Sequence, residues 1–229
     1  KNKKIFKSWR MYKKKSHSLI ILIPSYNELE NLKKFLLKLK KKFKILIIDD
    51  NSSDRTHDWL KINKVNYIRN VKNLGYEKSL IKGIKIILKQ NKYKSILTMD
   101  ADGQHTIQSL KKILTKKIFL HDVVVGKRSA TNRYIEDIIS FIFFKNNKIK
   151  DPLCGLKIYK CKILKKINFN NIKTYFLVDL LFNCMLITNK VINIDIKILP
   201  RYGAPRIGNF FKVNLKLLNI LIYCFFKRL

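Results

Sequence analysis

Two unbroken apolar runs, Leu19-Ile20-Ile21-Leu22-Ile23 and Ile45-Leu46-Ile47-Ile48, constrain this chain more than any other feature. A run without polar alternation marks a strand covered on both faces, the situation inside a parallel sheet. Between the two runs, Glu28 to Lys41 places Leu32, Leu36 and Leu39 on one side of a helix. The rhythm continues: strand Val65 to Arg69, helix Gly75 to Lys89 with Ile81, Ile84 and Leu88 at helical spacing, strand Ser95 to Met99, helix Thr106 to Lys116, strand Asp122 to Val125. Strands alternating with helices predict an α/β domain with a mostly parallel central sheet. Such sheets bind ligands beyond the carboxyl ends of their strands. Here those ends carry Tyr26 and Glu28, Asp49 and Asp50, and Asp100 and Asp102. Ser53 or Asp54 is placed to cap the helix after the second strand.

Beyond Arg128 the pattern loosens. Tyr134 to Phe144 reads as a helix, Asp151 to Gly155 as a loop and Phe176 to Ile187 as an apolar helix. Val191 to Leu199 alternates as a half-buried strand does, and Arg201 to Arg206 is a second loop. The expected organisation is a basic segment over 1–17, one domain over 18–208 and an apolar helix over 209–229. In that helix, Val213 to Phe226 is about 14 residues long, short of the ~20 that span a bilayer.

The 229 residues carry a formal charge of +35, which calls for an anionic partner: nucleic acid, a phosphorylated ligand or an acidic membrane leaflet. Lysine, isoleucine and asparagine are abundant throughout, as AT-rich coding produces, so most lysines are read as solvated surface. Cys154, Cys161, Cys184 and Cys224 form no CxxC pair and suit a reduced, cytosolic setting. Lys1 to Ser18 is basic and lacks the apolar core of a signal peptide.

Asp100-Ala101-Asp102 sets two carboxylates on one turn, and Gln104 adds a neutral oxygen. Oxygen-only ligands suit Mg²⁺ or Mn²⁺. The plainer reading is an acidic turn that caps a helix. Asp49-Asp50 is likewise either a cap cluster or an acceptor for nucleobase N–H groups and ribose hydroxyls. His105 is a supporting group for the acidic turn or a polar helix start. His17, His57 and His121 carry no assigned chemistry.

Taken together, Pro24-Ser25-Tyr26-Asn27-Glu28, Ile48-Asp49-Asp50-Asn51-Ser52-Ser53-Asp54-Arg55-Thr56, Asn73-Leu74-Gly75, Met99 to His105 and Gly126-Lys127-Arg128 closely resemble the family 2 glycosyltransferases. Within that family the chain resembles the polyprenol- and dolichol-phosphate sugar synthases. Asp151-Pro152-Leu153-Cys154-Gly155-Leu156-Lys157 is similar to their acceptor loop. The resemblance implies a GT-A fold. It implies that Pro24, Tyr26, Glu28, Ile48 and Asp50 hold the nucleoside, with Asp100 and Ala101 also at the nucleotide sugar. It gives the metal to Asp100, Asp102 and Gln104, and the acceptor to a loop including Asp151, Cys154, Gly155 and Lys157. Arg128 would reach the phosphate or sugar, and Arg201 and Arg206 would close over the diphosphate or the acceptor phosphate. Two departures stand out. The family often has Ser-Lys where this chain has Pro205-Arg206, and Phe-Arg where it has Leu156-Lys157. Lysine cannot fork onto a phosphate as arginine does.

The expected reaction moves a hexose from a nucleotide-sugar donor to a polyprenyl phosphate with inversion at the anomeric carbon, with Asp102 and the arginines as catalytic groups. A lipid phosphate is already an anion and needs no strong base. A saccharide hydroxyl would need one, and Asp179 is the candidate, with a purely structural helix role as the alternative. Lys3, Lys4, Lys7, Arg10, Lys13, Lys14 and Lys15, with Lys227-Arg228 after the apolar segment, suit an acidic membrane surface at the cytoplasmic face. A membrane-spanning partner subunit is compatible with this, and the segment packed on the core is the alternative. Two rivals remain: transfer to a saccharide hydroxyl, and a non-catalytic basic binding protein. No nucleic-acid motif supports the second, and acidic strand ends oppose it.

Overall fold

The computed structural model describes residues 18–114, 120–129, 149–172 and 176–200, with 137, 138, 140, 141, 215, 218–220, 222, 223 and 226. The basic segment 1–17, the loop carrying Arg201 and Arg206, most of the 134–144 helix and much of 209–229 lie outside these residues.

The elements are β1 (Leu19–Ser25), α1 (Leu29–Lys40), β2 (Lys44–Asp49), α2 (Thr56–Ile62), β3 (Tyr67–Arg69), α3 (Tyr76–Gln90), β4 (Ser95–Thr98), α4 (Ile107–Ile113), β5 (Val123–Arg128), β6 (Lys157–Lys160), α5 (Cys161–Leu164), α6 (Phe176–Ile187) and β7 (Val191–Ile196). They form one seven-stranded sheet in the order β3-β2-β1-β4-β6-β5-β7. All pairs are parallel except those of β6, which runs antiparallel to both β4 and β5. This is the GT-A fold that the motif resemblance implied.

Strand periodicity divides the core in two. Ile20, Leu22, Leu46 and Ile48 face Leu80, Ile84 and Ile87 of α3. Leu19, Ile21, Ile23, Ile45 and Ile47 face Leu32, Leu36 and Leu39 of α1, with Leu110 and Ile113 of α4 in the same cluster. Successive side chains of a strand point to opposite faces, so a wholly apolar run fills both layers at once. Strand order reverses at β1, with β2 on one side and β4 on the other, and this opens a crevice at their carboxyl ends.

Two elements differ from the sequence reading. Residues 157–160, expected at the end of a loop, form β6, whose Ile158 and Tyr159 are buried between β4 and β5. The strand starting at Val191 ends at Ile196, and Ile198 then bridges to His105. The capping role of Asp54 is wider than expected. One oxygen accepts the Thr56 N–H at the start of α2 (3.2 Å) and the other accepts the Leu29 N–H at the start of α1 (3.0 Å).

The apolar C-terminal segment is divided in character at its described positions. Ile220 and Tyr223 pack on the core, while Leu215, Leu218, Ile222 and Phe226 are exposed. Among the described residues no helix is long and apolar enough to cross a membrane.

Asp122 ties the far half of the sheet together. Its carboxylate faces Lys162 (2.9 Å) and Lys160 (3.2 Å) and accepts the Thr188 hydroxyl (2.9 Å). Burial alone would raise its pKa, but Lys162, Thr188 and Lys160 hold it down at about 2. A carboxylate with a depressed folded pKa stabilises above its unfolded pKa, and that contribution is lost as pH falls through the folded value. Asp122→Asn should therefore cost about 2 kcal/mol near neutral pH. Urea unfolding of parent and variant should show the difference closing between about pH 4 and pH 2.

Candidate active site

The acidic strand ends come together because the parallel ladder continues past the strands. The Asp50 N–H donates to Ser25 O (2.8 Å), the Asn70 N–H to Asp49 O (2.8 Å) and the Met99 N–H to Leu22 O (3.1 Å). Tyr26 and Asp50 therefore emerge side by side, with Asp100 on the neighbouring strand end at the level of Pro24. The β1 turn is locked onto the β2 turn: the Asn27 N–H donates to Ser52 Oγ (2.9 Å), and the Ser53 N–H to Asn27 Oδ1 (2.7 Å).

Of the residues expected at the nucleoside, Tyr26 is exposed, while Pro24, Glu28 and Asp50 are buried. Glu28 accepts the Asn31 side-chain amide (2.6 Å). The Ile48 side chain lies in the core, so only its backbone faces the crevice side of the ladder. Asp50 accepts from Asn70 Nδ2 (2.7 Å) and the backbone N–H groups of Leu74 (2.9 Å) and Gly75 (2.8 Å). Its carboxylate thus ties the end of β2 to the turn that leads into α3.

Asp100 sits just beyond β4 with its side chain 30% exposed. Tyr76 donates its hydroxyl to Oδ1 (2.8 Å), and His105 Nε2 stands 3.5 Å from Oδ2. Burial pushes the Asp100 pKa up, but His105, Tyr76 and the Lys157 charge outweigh it and hold the carboxyl below its ordinary value. His105 is buried and faces Asp100, which answers the choice between supporting group and helix start in favour of the first. Ala101 is buried, and Asp102 accepts the Gln104 N–H (3.1 Å). The Gln104 side-chain amide donates to Leu199 O (3.3 Å), and the Gln104 backbone carbonyl accepts the Leu199 N–H (2.9 Å). Among the described residues no three His, Cys, Asp or Glu side chains form a ready metal cage. Two carboxylates on one turn are nonetheless a sufficient protein share for Mg²⁺, which keeps its remaining positions for water and phosphate oxygens. The donor set fits such an ion.

The 151–157 loop docks directly on Asp100. A Cβ added at Gly155 would fall within the Asp100 carboxylate, and Thr98 Oγ1 donates to Gly155 O (2.8 Å). Arg128 does not face open solvent in this arrangement. It forks onto Asp151 through Nε (2.8 Å) and NH2 (3.0 Å), and its backbone N–H joins them (3.1 Å). Lys157 is fully buried and donates to Cys154 O. Burial lowers its pKa to about 8, against the opposing pull of Cys154, Asp151 and Asp100. It is an internal charge, where the sequence suggested a cation open to the acceptor. Burial, helped by Asp151, pushes the Cys154 thiol up to about 12, so the thiol is an inert packing group.

Asp179, the candidate base, is buried in the first turn of α6. It accepts from Asn183 Nδ2 (3.1 Å) and from the Tyr223 hydroxyl of the C-terminal segment. Arg201 and Arg206 lie outside the described residues. Sequence reasoning missed Tyr76 and Asn70. The only available signal was their place beside the Asn73-Leu74-Gly75 motif.

Comparison with known proteins gives a consistent answer. Residues 20–172 match the family model described as glycosyl transferase family 2. An uncharacterized protein of Methanocaldococcus jannaschii is 32% identical over 174 residues, covering 67% of this chain and 76% of that one. The undecaprenyl-phosphate mannosyltransferase of Micrococcus luteus is 24% identical over 206 residues, covering 80% of this chain and 84% of its own. In structure, the chain is similar to glucosyl-3-phosphoglycerate synthase of Mycobacterium tuberculosis, crystallised with Mn²⁺ and uridine-diphosphate-glucose. The TM-score is 0.72 over 98% of this chain and 82% of that one, at 12% identity, a likeness of fold alone.

The contact between Gly155 and Asp100 makes a sharp prediction. Gly155→Ala should displace the Asp100 carboxylate and lower transfer activity by about 10- to 100-fold, the range for disturbing the support of a metal ligand. The β4–β6 pairing should survive. Activity measured beside thermal unfolding checks this: a folded variant with parental activity would show that the loop does not set Asp100.

Proposed function

Because the chain belongs to glycosyl transferase family 2, we propose that this glycosyltransferase moves a hexose from a nucleotide sugar to a polyprenyl phosphate. The observation that carries the reading is the docking of the 151–157 loop on Asp100, which supports transfer if that loop serves the acceptor and Asp100 the donor. The acceptor class named for the Micrococcus relative supports it.

In this reading Tyr26 and the buried Asp50 line the nucleoside pocket, and Asp100 and Asp102, with Gln104 beside them, hold Mg²⁺ or Mn²⁺. The chemistry such an ion supplies is neutralisation of the departing diphosphate. The chain's own residues do the rest. Tyr76 and His105 keep Asp100 ionised and fixed. Arg128, through Asp151, holds the acceptor loop in place while the sugar's anomeric carbon gains positive charge. Arg201 and Arg206 serve the diphosphate or the acceptor phosphate. A phosphate nucleophile arrives as an anion, so no base is required. The hydrogen bonds that engage Asp179 agree with a structural role for that residue. The test is a screen of radiolabelled nucleotide sugars with a short polyprenyl phosphate. Lipid-linked product is expected. Product formed only with a saccharide hydroxyl would replace this reading by the alternative acceptor.

EDTA should abolish transfer, and Mg²⁺ or Mn²⁺ should restore it. Asp102→Asn should lose at least about 100-fold in kcat, the scale for removing a group that answers developing charge. Full activity in EDTA would remove the metal from the mechanism.

The enzyme is proposed to act as a peripheral protein on the cytoplasmic face of the membrane. Its basic head and the exposed Leu215, Leu218, Ile222 and Phe226 supply two signals, which stable attachment needs. Sedimentation with vesicles holding acidic lipid should fall as salt screens the charge. Binding unaffected by both lipid charge and salt would reject the electrostatic part.

A further inference from the structure

The Asn73-Leu74-Gly75 motif has no part in the reaction as described so far. Its position explains what it does. Asp50 takes the Leu74 N–H with one oxygen and the Gly75 N–H with the other. Asn70, which donates to Asp50, is itself held by a bond to Ser79 Oγ (2.9 Å) and by the Lys82 ammonium on its Oδ1 (2.6 Å). Gly75 has φ +87°, a conformation that side-chain-bearing residues rarely adopt. The chain leaves it directly into α3. Tyr76 is the first helical residue, its ring packed on the core and its hydroxyl on Asp100 Oδ1. One short turn therefore has the nucleoside end of the site at its beginning and the metal carboxylate at its end.

We propose that Tyr76 is a positioning residue for Asp100, and that the turn held by Asp50 couples the nucleoside end of the site to the metal end. The proposal rests on the metal reading given above. Asp100 stands on a turn with its side chain part-exposed, so nothing in its own backbone fixes its oxygens. The Tyr76 hydroxyl fixes one of them, and His105 faces the other. Groups that orient metal ligands in this way commonly govern affinity for the ion. Coupling of this kind is reciprocal: order gained at Asp50 on nucleoside binding is order gained at Asp100, and the reverse.

Tyr76→Phe removes the hydroxyl and keeps the ring. The experiment titrates the full chain with Mn²⁺ in the absence of nucleotide and reads free Mn²⁺ by electron paramagnetic resonance. The apparent Kd for Mn²⁺ should rise by about tenfold, with the unfolding temperature unchanged and kcat recovering at saturating Mn²⁺. Asp50→Asn, titrated in the same nucleotide-free way, should raise the Kd by about fivefold, the lower end of ordinary site-to-site coupling. A folded Tyr76→Phe with parental Mn²⁺ affinity, or one whose kcat stays low at saturating Mn²⁺, overturns the positioning role. Parental affinity in Asp50→Asn overturns the coupling. If Tyr76→Phe fails to fold, the Asp50→Asn titration decides alone. A parent chain that binds no Mn²⁺ overturns the metal reading itself, an outcome distinct from a parent that binds and variants that bind equally.

Discussion

Everything in this site depends on strands that are covered on both faces. β1 and β2 have no side of their own left for polar groups, because alternate residues fill one core layer and then the other. Polar chemistry is displaced to the carboxyl ends, where the backbone ladder runs on for one more residue. Tyr26 and Asp50 are therefore one strand spacing apart, about 4.8 Å, while the β1–β4 register brings Asp100 to the level of Pro24, two residues lower. Rigidity at the site is inherited from packing far below it.

Inside that frame, charges are met by neighbours. The chain is strongly cationic in total, yet Asp151, Asp100 and Lys157 answer one another within a few residues of the crevice, and Arg128 closes the set. Burying one member without another would leave an uncompensated charge, which is far more destabilising than the pair. The 151–157 loop is thus fixed by electrostatics as much as by shape, and a change at any one position is felt at the Asp100 carboxylate.

The parallel half of the sheet was legible because β1 and β2 carry unbroken apolar runs that are buried on both faces, so pattern and burial agree. β6 was not. Its Lys157 looks like a loop cation; the strand exists only by pairing with β4 and β5, and burial of the ammonium is made tolerable by Cys154 O and the Asp151 and Asp100 charges. The Asp100 and Asp102 turn could be read as an oxygen-rich site from its composition. The engagement of Arg128 with Asp151 could not, since nothing local links residues that far apart. Tyr76 read only as the beginning of a helix. A hydroxyl's target depends on the direction in which the helix leaves Gly75, and that direction is set by Asp50 and not by the helix sequence. Asp179 was left between candidate base and structural helix residue; Asn183 is its own helix neighbour one turn on, while Tyr223 reaches it only through tertiary packing.

The insertion of β6 also fixes an order of assembly. β5 pairs only with β6 and β7, and β6 is the strand that joins it to β4. During synthesis, the four parallel strands β3-β2-β1-β4 can close on one another as soon as β4 has emerged. β5, made next, has no edge to join until residues 157–160 arrive from the far side of the acceptor loop. The β3-β2-β1-β4 half can thus be framed on the ribosome while the half built on β5 is still waiting for chain yet to be made.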